Sequence, residues 1–229
     1  MCGRFTITVT IGLAERFGVM NCDVPLVPRY NIAPSQPVPV IIHPYGSGRI
    51  CQEMTWGLIP STAKDAAKSP RPVNARAETL HDRPSFRSLL GSRRCLVPAT
   101  GFYEWVTMRK ESFPYYINRK DGDLFAFAGL YDVWKSPEGQ LLKTFTVMTT
   151  RPNTLTARYH NRMPAILLPD HEARWLDSGC LSPEETEVLL SPYPGEYLAA
   201  YRVSRAVNDP RREGVSLIRR EDDSVLPLS

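Results

Sequence analysis

The chain has 229 residues, 42% of them hydrophobic, enough for a sizeable hydrophobic core. It has no apolar run long enough to span a membrane and no basic region followed by an apolar stretch at its start, so a cytoplasmic location is expected. A net charge of +4 does not single out nucleic acid as partner; 22 Arg against 6 Lys favours the planar fork that fits phosphate, but a GC-rich genome gives the same bias.

The chain opens Met1-Cys2-Gly3-Arg4. If the initiator methionine is removed, Cys2 becomes a 1,2-aminothiol beside an unhindered glycine. Its α-amine, with a reference pKa of about 7.7–8.0, holds far more free base at neutral pH than lysine does. The amine condenses with an aldehyde and the thiol closes on the imine carbon. The other reading is a small residue that merely follows the start codon. A short amphipathic helix is expected at 11–17, and strands at 38–42 and 54–59. The second of these contains Trp56-Gly57-Leu58-Ile59-Pro60, where Trp56 reads first as core and second as a stacking surface for unpaired bases.

Asn74-Ala75-Arg76-Ala77-Glu78, if extended, points Asn74, Arg76 and Glu78 to one face. Asn74 has both donor and acceptor atoms to orient a nucleophile, and Arg76 matches a phosphate. An ordinary surface strand with an Arg–Glu pair explains the pattern equally. A helix follows Pro84 at 85–90, then strands at 95–97 and 101–106. In the latter, Glu104 stands among Phe102, Tyr103 and Trp105. Alternation puts Glu104 on the face of Phe102, where desolvation would raise its pKa towards that of a proton donor near pH 7. The alternative is a solvent-facing glutamate.

Further strands are expected at 114–118, 124–133, 144–149, 165–168 and 197–203. Tyr159-His160-Asn161-Arg162-Met163-Pro164 reads as loop or extended chain, with His160 and Arg162 on one side. Among the four histidines, His160 is the candidate for proton transfer; His43, His81 and His171 read as structural or exposed. Asp170 is expected to cap a helix through Leu176, and Ser182-Pro183-Glu184-Glu185 spells a capping box. Twenty-one dispersed prolines suggest short elements joined by fixed turns. Five scattered cysteines without CxxC or HExxH spacing argue against zinc and against a disulfide framework; Cys51 and Cys95 read as small core residues. The fold class is therefore α+β, one domain over 1–229 with a mainly antiparallel, barrel-like sheet and short flanking helices.

Together these segments resemble the SOS response-associated peptidase (SRAP) family of abasic-site-processing proteins. The resemblance rests on Met1-Cys2-Gly3-Arg4, Arg29-Tyr30-Asn31-Ile32-Ala33-Pro34, Trp56 to Pro60, Asn74 to Thr79, Arg94 to Ala99, Gly101 to Trp105, His160 to Pro164, Val203-Ser204 and Val207-Asn208. It implies that the Cys2 amine attacks the aldehyde of an abasic sugar in single-stranded DNA and that the thiol then closes a thiazolidine crosslink. Asn74 would hold the aminothiol, Glu104 would shuttle protons, and His160 would open the sugar ring and assist reversal. Arg4, Arg76 and Arg162 would contact phosphates; Pro34, Trp56 and Gly57 would line the groove for bases. It also implies self-removal of Met1 and, as in some members, lyase chemistry through the same imine. No metal or other cofactor and no membrane are expected, and the protein is expected to be a monomer, associated with the nucleoid when DNA is bound. Thr100 and Arg158-Tyr159 depart from the family's usual residues. Two other classes stay open: a thiol peptidase acting on proteins through Cys2, His160 and Glu104, and a non-catalytic single-strand-binding module.

Overall fold

The protein is described here by a computed structural model covering residues 2–221, so Met1 of the opening motif lies outside the described residues. In chain order the strands are β1 (Phe5–Ile7), β2 (Val19–Cys22), β3 (Arg29–Ile32), β4 (Pro37–Ile42), β5 (Arg49–Trp56), β6 (Asn74–Arg76) and β7 (Arg94–Ala99). They continue with β8 (Gly101–Met108), β9 (Glu111–Arg119), β10 (Phe125–Lys135), β11 (Leu141–Thr150), β12 (Met163–Pro164), β13 (Ile166–Leu167) and β14 (Leu198–Arg202). The helices are short: α1 (Leu13–Arg16), α2 (Pro84–Leu90), α3 (Pro169–Leu176) and α4 (Pro183–Leu189). None is long and apolar enough to cross a membrane.

The expected α+β class with a barrel-like sheet is the one observed. The ladder β11–β10–β7–β4–β5 closes on itself through a parallel seam between β5 and β11, and its other pairings are antiparallel. Closure removes sheet edges, which otherwise expose unpaired N–H and C=O groups. An antiparallel sheet ordered β14–β9–β8–β1–β3 packs on this ring. Phe5 of β1 joins the two, meeting Trp56 at 5.2 Å and Phe127 at 5.6 Å, both edge-on. The alternation read in β8 holds: Phe102 enters the main core, while Tyr103 and Trp105 pack on the opposite face with Tyr116 and Tyr201. Gly101 is required by close approach, since a Cβ there would stand 2.3 Å from the Tyr116 ring. Beside it, the departing residue Thr100 is a buried hub. Its hydroxyl meets that of Thr6 at 2.9 Å and accepts from Thr8 N–H at 3.0 Å.

Local signals were met in part. Ser182 Oγ accepts from Glu185 N–H (3.1 Å) and Glu185 returns the bond to Ser182 N–H (2.9 Å), completing the capping box. Asp170 does not cap α3. The helix begins one residue earlier with Pro169, after Leu168, and Asp170 lies in the first turn, where its charge favours the helix dipole. The strand expected at 54–59 is β5, which ends at Trp56. Gly57, at φ 125°, turns the chain and donates its N–H to Phe145 O (2.8 Å). Extended chain also stops at Arg76: Ala77–Thr79 is a 3-10 turn, so Glu78 leaves the face it was expected to share.

Candidate functional site

Strand β1 is entered from Cys2, and the position of that residue follows from register. Phe5 pairs with Phe102 and Tyr103 N–H donates to Arg4 O (3.0 Å), so the next step of the ladder sets Glu104 beside Gly3 and Cys2. Cys2 is fully buried. Asn74, at the start of β6, donates Nδ2–H to the Cys2 carbonyl at 2.7 Å. The Asn74 Oδ1 atom is buried and has no hydrogen-bond partner. An unfilled buried acceptor beside Cys2 is costly unless a donor arrives in a working state.

Glu104 is 4% exposed. Burial pushes its carboxyl up to about 7, the direction expected for an acid that keeps its proton near neutrality. Burial also pushes the Cys2 thiol well up, and the Glu104 charge adds to that shift. The thiolate is thus disfavoured, which suits a reaction led by nitrogen rather than sulfur.

His160 follows a 3-10 turn, Thr156–Arg158, and is half-buried. Its Nδ1 accepts from Arg162 N–H at 2.9 Å, which assigns the ring proton to Nε2 in the neutral form. Burial lowers the imidazole pKa. The neighbouring Tyr159 stands 4.7 Å, ring to ring, from Tyr115. Tyr115 is the cross-strand partner of Glu104. Sequence reading missed Tyr115, the residue through which the acid and the histidine loop become neighbours.

Three of the arginine and aromatic residues expected to meet DNA are engaged by partners within the protein. Trp56 is fully buried, its ring stacked on Phe145 and its Nε1–H donated to Val73 O (2.8 Å), so no ring face is offered to a base. Arg162 forks onto Glu78 at 2.8 Å through both terminal nitrogens and also donates to Thr149 O (2.5 Å). It braces the histidine loop, and a phosphate would have to displace Glu78. Arg4 donates to Asn31 Oδ1 and Val207 O, both 2.7 Å, and so ties β1 to the C-terminal segment. Pro34 is exposed on a turn whose next residue, Ser35, donates its N–H to Trp56 O (2.8 Å); Gly57 is buried behind it.

Arg76 remains exposed, as a phosphate contact requires. It lines an open cavity of about 800 Å³ together with Leu58, Arg71, Asn74, Arg83 and Phe86. Arg71 and Arg83, also exposed, were not singled out from sequence. The groove therefore joins three exposed guanidinium groups to the side chain that holds Cys2.

Known proteins resemble this chain in sequence and in fold. Residues 1–210 match the family profile described as SOS response associated peptidase (SRAP). The chain is 43% identical over 222 residues to the Bacillus subtilis abasic site processing protein YoqW, covering 95% of this chain and 99% of that one. It is 31% identical to the abasic site processing protein HMCES of Rattus norvegicus, over 80% of this chain and 62% of that protein. A solved protein structure from Bacteroides thetaiotaomicron superposes with a TM-score of 0.85 at 32% identity, covering 96% of this chain and all of the other.

Proposed function

Because the chain belongs to the SOS response associated peptidase (SRAP) family, we propose that it processes abasic sites in single-stranded DNA by covalent capture on Cys2. Hydrolysis of the Met1–Cys2 bond, by the protein itself, consumes one water and frees the Cys2 amine. The sugar's ring-opened aldehyde then condenses with that amine, releasing one water and giving an imine. The thiol adds across the C=N bond, its proton passing to nitrogen, and a thiazolidine results. Opening of the same ring regenerates the imine, from which strand cleavage or release of the protein follows.

The observation that carries this reading is Asn74: its amide nitrogen holds the Cys2 carbonyl while its buried oxygen awaits a donor. The new α-amine would supply one. Glu104, protonated near neutrality, delivers a proton to the departing hydroxyl of the carbinolamine. His160, neutral and half-buried, acts on the sugar hydroxyl during ring opening and reversal. Arg71, Arg76 and Arg83 hold the phosphates that flank the lesion. The disfavoured Cys2 thiolate speaks against a thiol peptidase, whose sulfur needs a depressed pKa.

Intact mass of the purified protein, before and after incubation with single-stranded abasic DNA, tests the proposal. Expected are loss of the initiator methionine and a DNA adduct that survives denaturation. Cys2→Ala abolishes the adduct, and Cys2→Ser leaves at most a reversible imine or a cleaved strand. Retained methionine, or an adduct undiminished in Cys2→Ala, would overturn it.

A further inference from the structure

Outside the site, strand register brings two other thiols together. β2 runs parallel to β5, and Cys22 is the ladder partner of Cys51. Neighbouring strands lie about 4.7–4.9 Å apart, inside the roughly 4.4–6.8 Å Cα separation that a disulfide spans. Facing residues of adjacent strands project to the same side, and the two thiols are side-chain partners. Both are reduced. Cys51 is fully buried, whereas Cys22 is half-buried and ends its strand. The register of β2 shifts between Val19 and Asn21, so the pairing near Cys22 is already irregular and can adjust as an S–S bond closes. The remaining cysteines differ: Cys95 is packed beneath Gly129, Cys180 is exposed, and Cys2 belongs to the site.

We propose that Cys22 and Cys51 are a peroxide-sensitive dithiol whose disulfide fastens the N-terminal arm, which begins at Cys2, to the closed ring. The Cys22 sulfur attacks one oxygen of hydrogen peroxide; the O–O bond breaks, water leaves, and Cys22 becomes a sulfenic acid. The Cys51 sulfur then attacks the Cys22 sulfur, the S–O bond breaks, and a second water carries off the hydroxyl and the thiol proton. Two thiols are oxidised and one peroxide is reduced to two waters; an external dithiol reverses the bond by exchange. Because burial pushes the Cys51 thiol up, the second step quickens as pH rises. The arm is already held on the same side by Arg49, which donates to Phe17 O at 2.8 Å, so closure adds a covalent staple to an existing contact.

The test uses the full chain carrying Cys180→Ser, which removes the exposed thiol that would link molecules. After hydrogen peroxide treatment, alkylation and digestion without reductant, the Cys22 and Cys51 peptides are expected to be joined. The intact mass falls by two hydrogens, dithiothreitol restores it, and the melting temperature of the oxidised form rises by roughly 5–10 °C. Adding Cys22→Ser, at the half-buried strand end, abolishes the mass loss. Recovery of both peptides as alkylated thiols overturns the proposal. So does Cys22 ending as a sulfinic acid with Cys51 still alkylated, or a two-hydrogen loss that persists in the Cys22→Ser protein.

Discussion

A carboxyl that keeps its proton to about pH 7 makes folding depend on pH in one direction. The folded pKa of Glu104 lies above its unfolded value. The stability it contributes is therefore complete below about pH 4.5 and is lost as pH rises through about 7. Glu104→Gln keeps the shape without the titration. In urea unfolding its advantage over the parent is expected to grow by about 3 kcal/mol between pH 5 and 8; a difference that stays flat with pH would place the carboxyl in its ordinary range. The same variant is expected to slow imine formation by about 10²–10⁴-fold. Asn74→Ala should cost about 1 kcal/mol through the lost bond to Cys2 O, and Asn74→Asp, which lacks the donor, should not restore crosslinking. At this scale the sequence was informative where one residue sat among its own neighbours, as Glu104 does between aromatics. It was uninformative where the partner lies far along the chain: Arg162 reads like a phosphate ligand until Glu78, from another element, occupies its fork.

The β8–β9 hairpin is the element that assembles the acid and histidine side of the site. It turns through Arg109 and Lys110, both left-handed at φ 48° and 72°. Two-residue turns of that hand favour Asn-Gly, and ordinary side chains there are strained. Nothing in the dipeptide Arg-Lys announces a hairpin. The register that sets Tyr115 across from Glu104 was therefore not legible, although both strands were. Replacing Arg109-Lys110 by Asn-Gly is expected to stabilise the protein by about 1 kcal/mol and leave the pairing unchanged; chemical denaturation and the cross-strand NOEs check this. α4 shows the opposite case. Its capping box is written in four consecutive residues and forms as written, and Ser182→Ala is expected to cost about 1 kcal/mol.

Closure of the ring depends on β5 meeting β11 in parallel, a pairing between segments nearly ninety residues apart in sequence. Short-range patterns cannot specify such a seam, and so the strands were readable while their order was not. The same closure buries Trp56, and Trp56→Ala is expected to cost about 3–5 kcal/mol without altering affinity for single strands in the protein that remains folded. Across the groove, three arginines predict a slope of about −2 in log K against log salt for a reduced abasic strand, which cannot form an imine. Arg76→Ala should make that slope shallower by about 0.7, measured by anisotropy. The Asn74 clasp has one more implication. It grips the carbonyl of Cys2, on the far side of the α-carbon from the bond that maturation would sever. Under the proposed function, shedding the leading residue would leave the anchorage untouched: the protein would arm itself by subtraction, with its warhead already aligned when the nitrogen is unmasked.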